Sequence, residues 1–276
     1  MSKYRAWLVY DREARERNRD YIELHRQVGE KFGIEFKLVD PDRLDYKDLD
    51  RPDFAIVRSI RPEFSREIEK NGIPVFNNST VARICNDKYK TLQYIKKMDP
   101  EIPTIPSSLI GIEDLTPKFL RDHPGQVVKA VDGHGGQEVF RTEEDFSLIK
   151  EAMGQSQIIV QPFIQGPGKD VRVYVLGREM IGAIERTSLD GFRSNFSLGG
   201  SVREISLNKA QKDLVNRVIA CFDFGLVGID FILDQENNFV LSEIEDVVGA
   251  RMLYKCRPDI DLLERYFSFI IEKILH

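Results

Sequence analysis

Residues 227–245 read Val-Gly-Ile-Asp-Phe-Ile-Leu-Asp-Gln-Glu-Asn-Asn-Phe-Val-Leu-Ser-Glu-Ile-Glu. Two apolar runs, 228–233 and 239–244, flank a polar group at 234–238, the pattern of two strands joined by a turn. Asp230 lies in the first run, and Glu243 and Glu245 close the second with Ile244 between them. Side chains alternate across a strand, so Glu243 and Glu245 share a face and the hairpin brings Asp230 beside them. Three carboxylates crowded on one face repel one another unless a cation sits among them. Hard oxygen donors on rigid strands suit Mg²⁺ bridging phosphates. The alternative is three solvated carboxylates on an exposed sheet face.

Upstream, Val127-Val128-Lys129-Ala130 sets a lysine inside an apolar strand, where its burial is costly unless a strong anion meets it. Gly133, Gly135 and Gly136 follow around His134, and the strand 138–140 comes next, so the segment reads as a β-hairpin with a glycine-rich tip. Such a tip lets backbone N–H groups turn toward a phosphate, or it merely connects two strands; its spacing is neither a P-loop nor a dinucleotide fingerprint. Lys88, on the helix 87–97, reaches the same phosphates or is an ordinary surface lysine. A further cluster, Gly191-Phe192-Arg193-Ser194-Asn195-Phe196-Ser197-Leu198-Gly199-Gly200, is preceded by Asp170, Arg172 and Arg186. Arg193 offers a planar fork for a phosphoryl oxygen or carboxylate, and Asn195 an oxygen for a cation; otherwise the stretch is a long exposed turn.

The rest of the chain alternates. Strands at Trp7-Leu8-Val9-Tyr10, 34–39, 54–57 and Pro74-Val75-Phe76 are separated by charged helical stretches at 12–31 and 62–70, which implies βαβ crossovers and a small parallel sheet. Ser79 caps a short helix, and Pro100, Pro103 and Pro106 make an extended connection. The run 158–164 is a buried strand, 171–176 and 181–185 a hairpin, and 208–222 and 260–275 helices. The formal charge of −5 argues against a general affinity for nucleic acid. No apolar run reaches the roughly 18 residues that span a bilayer. Three distant cysteines form no metal-type pair and suggest a reduced, cytoplasmic setting.

The order of these features resembles the ATP-grasp superfamily, and within it the RimK-like ligases that add glutamate or another amino acid to a carboxylate. The resemblance rests on Lys88, the hairpin with Lys129, the strand 158–164, Gly168-Lys169-Asp170-Val171-Arg172-Val173-Tyr174-Val175-Leu176-Gly177, the stretch Asp190-Gly191-Phe192-Arg193-Ser194-Asn195 ending in Gly199-Gly200, and Asp230 with Glu243 and Glu245. It spans roughly residues 74–254. It implies an α/β (α+β) chain with three parts: an N-terminal Rossmann-like preATP-grasp domain (1–78), a small central subdomain carrying the glycine-rich hairpin (79–164), and a C-terminal metal-binding subdomain (165–276).

The resemblance also implies roles. Lys88 and Lys129 hold the phosphates of ATP, with Gly135 and Gly136 closing over them. The adenine edge is read by Gln161 and the backbone of Phe163 and Ile164, and Asp170 binds the ribose. Arg193 contacts the γ-phosphate and then an acyl phosphate, with Asn195 nearby and Arg172 and Arg186 supporting an anionic cleft. Asp230, Glu243 and Glu245 hold two Mg²⁺ ions, or Mn²⁺ in their place. The family usually has Asn at the position of Glu245 and often Glu at that of Gln161. The partners implied are a small-molecule or peptide carboxylate and an amine such as an amino acid, without nucleic acid or membrane; related enzymes often form dimers or tetramers. A ligase acting on a ribosomal peptide or protein, and a nucleotide-binding regulatory module without turnover, are the alternatives. Arg251 is a candidate partner for an incoming carboxylate, and Asn77, Asn78 and Ser79 are candidates at the cleft edge.

Overall fold

Apolar runs bounded by charged turns become strands, and they gather into three separate sheets with helices between them. The computed structural model describes residues 3–42, 50–133, 138–187 and 201–275. In the first sheet β1 (Tyr4–Val9), β2 (Ile34–Val39), β3 (Phe54–Val57) and β4 (Val75–Phe76) run parallel in the order β2-β1-β3-β4. β1 starts at Tyr4, earlier than the apolar run suggests, because its ladder to β2 extends to the pair Tyr4–Ile34. The single helix expected over 12–31 is two, α1 (Arg12–Arg17) and α2 (Arg19–Lys31). Asn18 breaks it: its side-chain amide donates to Ala14 O at 2.7 Å, competing with the helical ladder. α3 (Pro62–Lys70) starts on a proline, whose missing N–H costs nothing in a first turn.

The second sheet is antiparallel, in the order β5-β8-β6-β7. α4 (Ser79–Cys85) is capped by Asn78, whose Oδ1 accepts from Val81 N at 2.9 Å, and not by Ser79, which hydrogen-bonds Glu69 instead. Asp87 caps α5 (Lys88–Met98) through Lys90 N, which sets Lys88 in the first turn. β5 (Ser108–Ile110), α6 (Pro117–Asp122), β6 (Gln126–Ala130), β7 (Val139–Arg141), α7 (Phe146–Met153) and β8 (Ile158–Pro162) complete the unit. β5 and α6 have three and six residues, too short for a periodic signal.

The third sheet, order β11-β10-β9-β12-β13, is antiparallel throughout. It comprises β9 (Lys169–Leu176), β10 (Glu179–Thr187), β11 (Ser201–Glu204), β12 (Leu226–Leu233) and β13 (Phe239–Glu245). α8 (Lys209–Ala220), α9 (Arg251–Cys256) and α10 (Leu262–Leu275) pack on it. One core joins α10 to the first sheet through Phe36, Phe54 and Phe267; a second lies between α4, α5, α8 and the third sheet. The α+β class with N-terminal, central and C-terminal sheets is the one expected.

Asn77 ties the first sheet to the third. Its amide donates to Leu226 O at 3.0 Å and Asp246 O at 2.8 Å, and its oxygen accepts from Gly225 N at 2.7 Å, all buried. It is therefore a structural tie and not a contact at the cleft edge. Asn77→Ala strands one buried donor and two buried acceptors, and is expected to lower unfolding free energy by about 3 kcal/mol, read by urea titration.

Candidate active site

The carboxylate set forms where β12 and β13 pair. Asp230 opposes Glu243 and Gly228 opposes Glu245, with a register shift just after Asp230. Ligand oxygens of Asp230, Glu243 and Glu245 lie within 4.8 Å of one another, while Ile244 turns into the core. Their mutual repulsion is already relieved by protein cations. β9 pairs with β12 so that Arg172 opposes Asp230. Arg172 donates to both Asp230 oxygens, Nε at 2.7 Å and Nη2 at 2.6 Å, and Nη2 also reaches Glu245 Oε1 at 2.7 Å. On β10, Arg186 opposes Asp170 and holds both its oxygens at 2.6 and 2.8 Å, and its Nη2 meets Asp230 Oδ2 at 2.8 Å. The two arginines expected to support an anionic cleft are thus also the internal counter-ions of the carboxylates.

A cation still fits. Asp230 accepts three guanidinium hydrogen bonds out of about four lone-pair sites, and hard oxygens of Glu243 and Glu245 stand beside it. Burial alone would raise the Asp230 carboxyl; Arg172 and Arg186 outweigh it and hold it at about 2. Burial would also raise Glu243, but Lys88, Lys129 and Arg172 together outweigh it and keep Glu243 below the ordinary value. Burial pushes Asp170 up to about 6 against the pull of Arg186. At neutral pH Asp230 and Glu243 are therefore ionised and ready to accept a cation.

Lys88 closes the site from the other side. Its Nζ lies 3.2 Å from Glu243 Oε2 and also donates to Gly133 O at the root of the glycine-rich hairpin. Lys88, Lys129, Gln161, Phe163 and Ile164 line a single cleft that Asp170, Arg186, Asp230 and Glu243 face across the gap between the second and third sheets. Arg172 and Glu245 stand outside its lining. Gln161 is buried, its amide donating to Ser107 Oγ at 2.8 Å, and the Phe163 N–H is committed to Gly125 O at 3.1 Å. Lys169, which the reading of the sequence quoted but did not select, also lines the cleft and pairs with buried Glu185 at 3.2 Å. Its adjacency to Asp170 is the signal that could have found it. Gly135, Gly136, Arg193 and Asn195 lie outside the described residues. Arg251 is exposed at the start of α9, away from the cleft lining.

Lys129 is half-buried between Val139 and Ile159, and desolvation lowers its ammonium from 10.5 to about 8, with Glu243 pulling the other way. The unfolded chain therefore holds this proton over a window, about pH 8 to 10.5, in which the folded chain has lost it. From this group stability rises with pH across that window, while attraction for a phosphate falls. Affinity for a nucleotide triphosphate is expected to fall by up to about tenfold per pH unit above pH 8, with proton uptake on binding. Calorimetry in buffers of different ionisation heat measures both.

The model of the RimK-like ATP-grasp domain matches residues 85–266. An uncharacterised protein of Mycoplasma pneumoniae, the MG011 homolog, is 28% identical over 263 residues, covering 94% of this chain and 89% of that protein. The glutamate–LysW ligase ArgX of Sulfolobus acidocaldarius is 28% identical over 259 residues, covering 87% of this chain and 90% of its own. Among solved structures, D-cycloserine synthetase DcsG superposes with a TM-score of 0.75 over 98% of this chain and 99% of its own; at 14% identity that likeness is one of fold. No described helix is long and apolar enough to cross a membrane.

Proposed function

Because the chain belongs to the RimK-like ATP-grasp family, we propose that it is an ATP- and Mg²⁺-dependent ligase that activates a carboxylate as an acyl phosphate and joins it to the amine of an amino acid. What supports this most is the single cleft in which Lys88 and Lys129 on one wall face Asp230 and Glu243 on the other. The triphosphate lies between these walls, its charge met by the two lysines and by Gly135 and Gly136 of the hairpin tip. The adenine edge meets Gln161, the Phe163 carbonyl and the Ile164 amide, and Asp170 meets the ribose. Asp230, Glu243 and Glu245 would hold Mg²⁺, or Mn²⁺ in its place, which when bound neutralises the γ-phosphate and aligns it.

An oxygen of the substrate carboxylate attacks the γ-phosphorus, the bond to the β,γ-bridging oxygen breaks, and ADP leaves. Arg193, beside Asn195, meets the phosphoryl charge as it moves. The amine nitrogen then attacks the acyl carbonyl, the C–O bond to phosphate breaks, and the nitrogen's proton leaves with the phosphate or to water. Arg172 and Arg186 keep Asp230 ionised while these charges shift. In this scheme residues 1–78, 79–164 and 165–276 act as three units, the central one closing over the nucleotide.

The name of the Sulfolobus relative pairs glutamate with LysW, which supports glutamate as the first amino acid to supply. The test is ADP release from Mg·ATP across a panel of small and peptide carboxylates, each with glutamate. Release that needs one of those carboxylates and Mg²⁺ is the expected result. Formation of AMP in place of ADP, or release equal with and without every carboxylate, would overturn it.

A further inference from the structure

A second polar site is built behind the first. The N-terminal sheet has its switch point between β1 and β3, since the chain leaves β1 for β2 on one side and reaches β3 on the other. In parallel sheets ligands bind outside the carboxyl ends of strands at such a crevice. The residues that emerge there are Tyr10 after β1 and Arg58 and Ser59 after β3. All three are buried, Arg58 at 9% exposure and Ser59 at 3%. Arg58 lies over the Tyr21 ring, 5.5 Å from its centroid. Its Nη2 donates to Val248 O at 2.9 Å, just beyond the strand that carries Glu243 and Glu245.

The cluster leaves its polar atoms unmet. Among the described residues Arg58 Nε, Tyr10 Oη, Tyr21 Oη, Ser59 Oγ and Asp246 Oδ1 are each buried without a hydrogen bond of ordinary geometry, although Tyr10 lies beside the Arg58 guanidinium and Asn86 beside the Asp246 carboxylate. Among the described residues Arg58 makes no ion pair. Asp246 is the carboxylate whose charge Arg58 feels, yet no hydrogen bond joins the two, and buried polar atoms left in this state call for a ligand that satisfies them. The donors sit on the Arg58 side, and the acceptor, Asp246, directly follows Glu245 of the carboxylate set. The arrangement offers a fork for an anion and an oxygen for an amine.

We propose that this cluster is the subsite of the amine substrate, which is a free α-amino acid: Arg58, Tyr10 and Tyr21 hold its carboxylate, and Asp246 Oδ1 accepts from its amino group. The inference rests on the ligase reading above and adds to it the residues that select the amine. It orients the amino nitrogen toward the end of β13, beside the carboxylates that face the transferred phosphate. Arg58 thus takes the place that the exposed Arg251 was expected to fill.

The test is calorimetric titration of the twenty standard L-amino acids, and of the α-carboxamide of each binder, into the full chain saturated with Mg²⁺ and the β,γ-imido analogue of ATP. At least one amino acid is expected to bind and its carboxamide not to. Arg58→Lys, which keeps the charge but loses the fork, should weaken that amino acid by about 30-fold or more. Tyr10→Phe removes only an orphan hydroxyl, is expected to fold normally, and should weaken it by about fivefold. Binding of the nucleotide analogue is the check that each variant is folded. Nucleotide binding with no amino acid bound, carboxamides that bind as well as acids, or equal affinity in wild type and Tyr10→Phe would each overturn the subsite while leaving the ligase reading standing. Failure of the wild type to bind the nucleotide analogue would overturn both.

Discussion

Asp230→Asn is expected to abolish turnover and to destabilise the fold at the same time. Asp230 is 2% exposed and receives three hydrogen bonds from two buried guanidiniums, those of Arg172 and Arg186. Asn keeps the shape but removes the charge and turns an N–H toward one of the arginines. Breaking a buried ion pair from one side leaves an uncompensated charge, which costs about 3–5 kcal/mol. Arg172 retains Glu245 and Arg186 retains Asp170, so the loss should fall near the lower end of that range. In the proposed reaction the change removes one of the three carboxylates proposed to hold Mg²⁺ and leaves the arginines misaligned. A fall in kcat of about 10³-fold or more is expected, equivalent to about 4 kcal/mol of transition-state stabilisation. Urea unfolding and ADP release measured on one preparation check both. A variant as stable as wild type would contradict the geometry of the ion-pair network, and one as active would contradict the role of Asp230 in metal binding.

Lys129→Met should move stability and function in opposite directions. The ammonium is desolvated on an apolar strand, and the thioether that replaces it has similar length and no charge to bury. Removing a single charge that desolvation makes costly is expected to leave stability unchanged or raise it. Glu243 keeps its partner Lys88 at 3.2 Å, so the substitution orphans no carboxylate. For ATP the expected loss is direct: a charge-assisted contact to phosphate is worth about 2–3 kcal/mol, or about 30- to 160-fold in Kd. Thermal unfolding without ligand and titration with Mg·ATP separate the two effects. A lower Tm together with unchanged ATP affinity would show that Lys129 serves the fold alone.

Much of the cleft could be read before the structure because its determinants are local. Strand alternation and a short turn set Glu243, Glu245 and Asp230 on one face to within a residue. The apolar setting of Lys129 marked it as a lysine with a purpose. The partners of Arg172 and Arg186 could not be read in the same way. They depend on the strand order β10-β9-β12-β13, which follows from packing among segments up to 73 residues apart. Asn18 and Asn78 show a smaller limit of the same kind, since a side-chain hydrogen bond decides where a helix breaks or begins. The Arg58 cluster had no local signature at all. Tyr10, Arg58 and Asp246 come from three distant segments, and only polar atoms buried without a hydrogen bond of ordinary geometry mark them.

Activation of a carboxylate as an acyl phosphate is read out by trapping that species with hydroxylamine in place of the amine. The chain is incubated with Mg·ATP, hydroxylamine and each carboxylate of the panel, and hydroxamate and ADP are counted together. At least one carboxylate is expected to give hydroxamate and ADP in a one-to-one ratio, and neither is expected to form when Mg²⁺ is chelated. ATP consumed without hydroxamate from any carboxylate would contradict that activation.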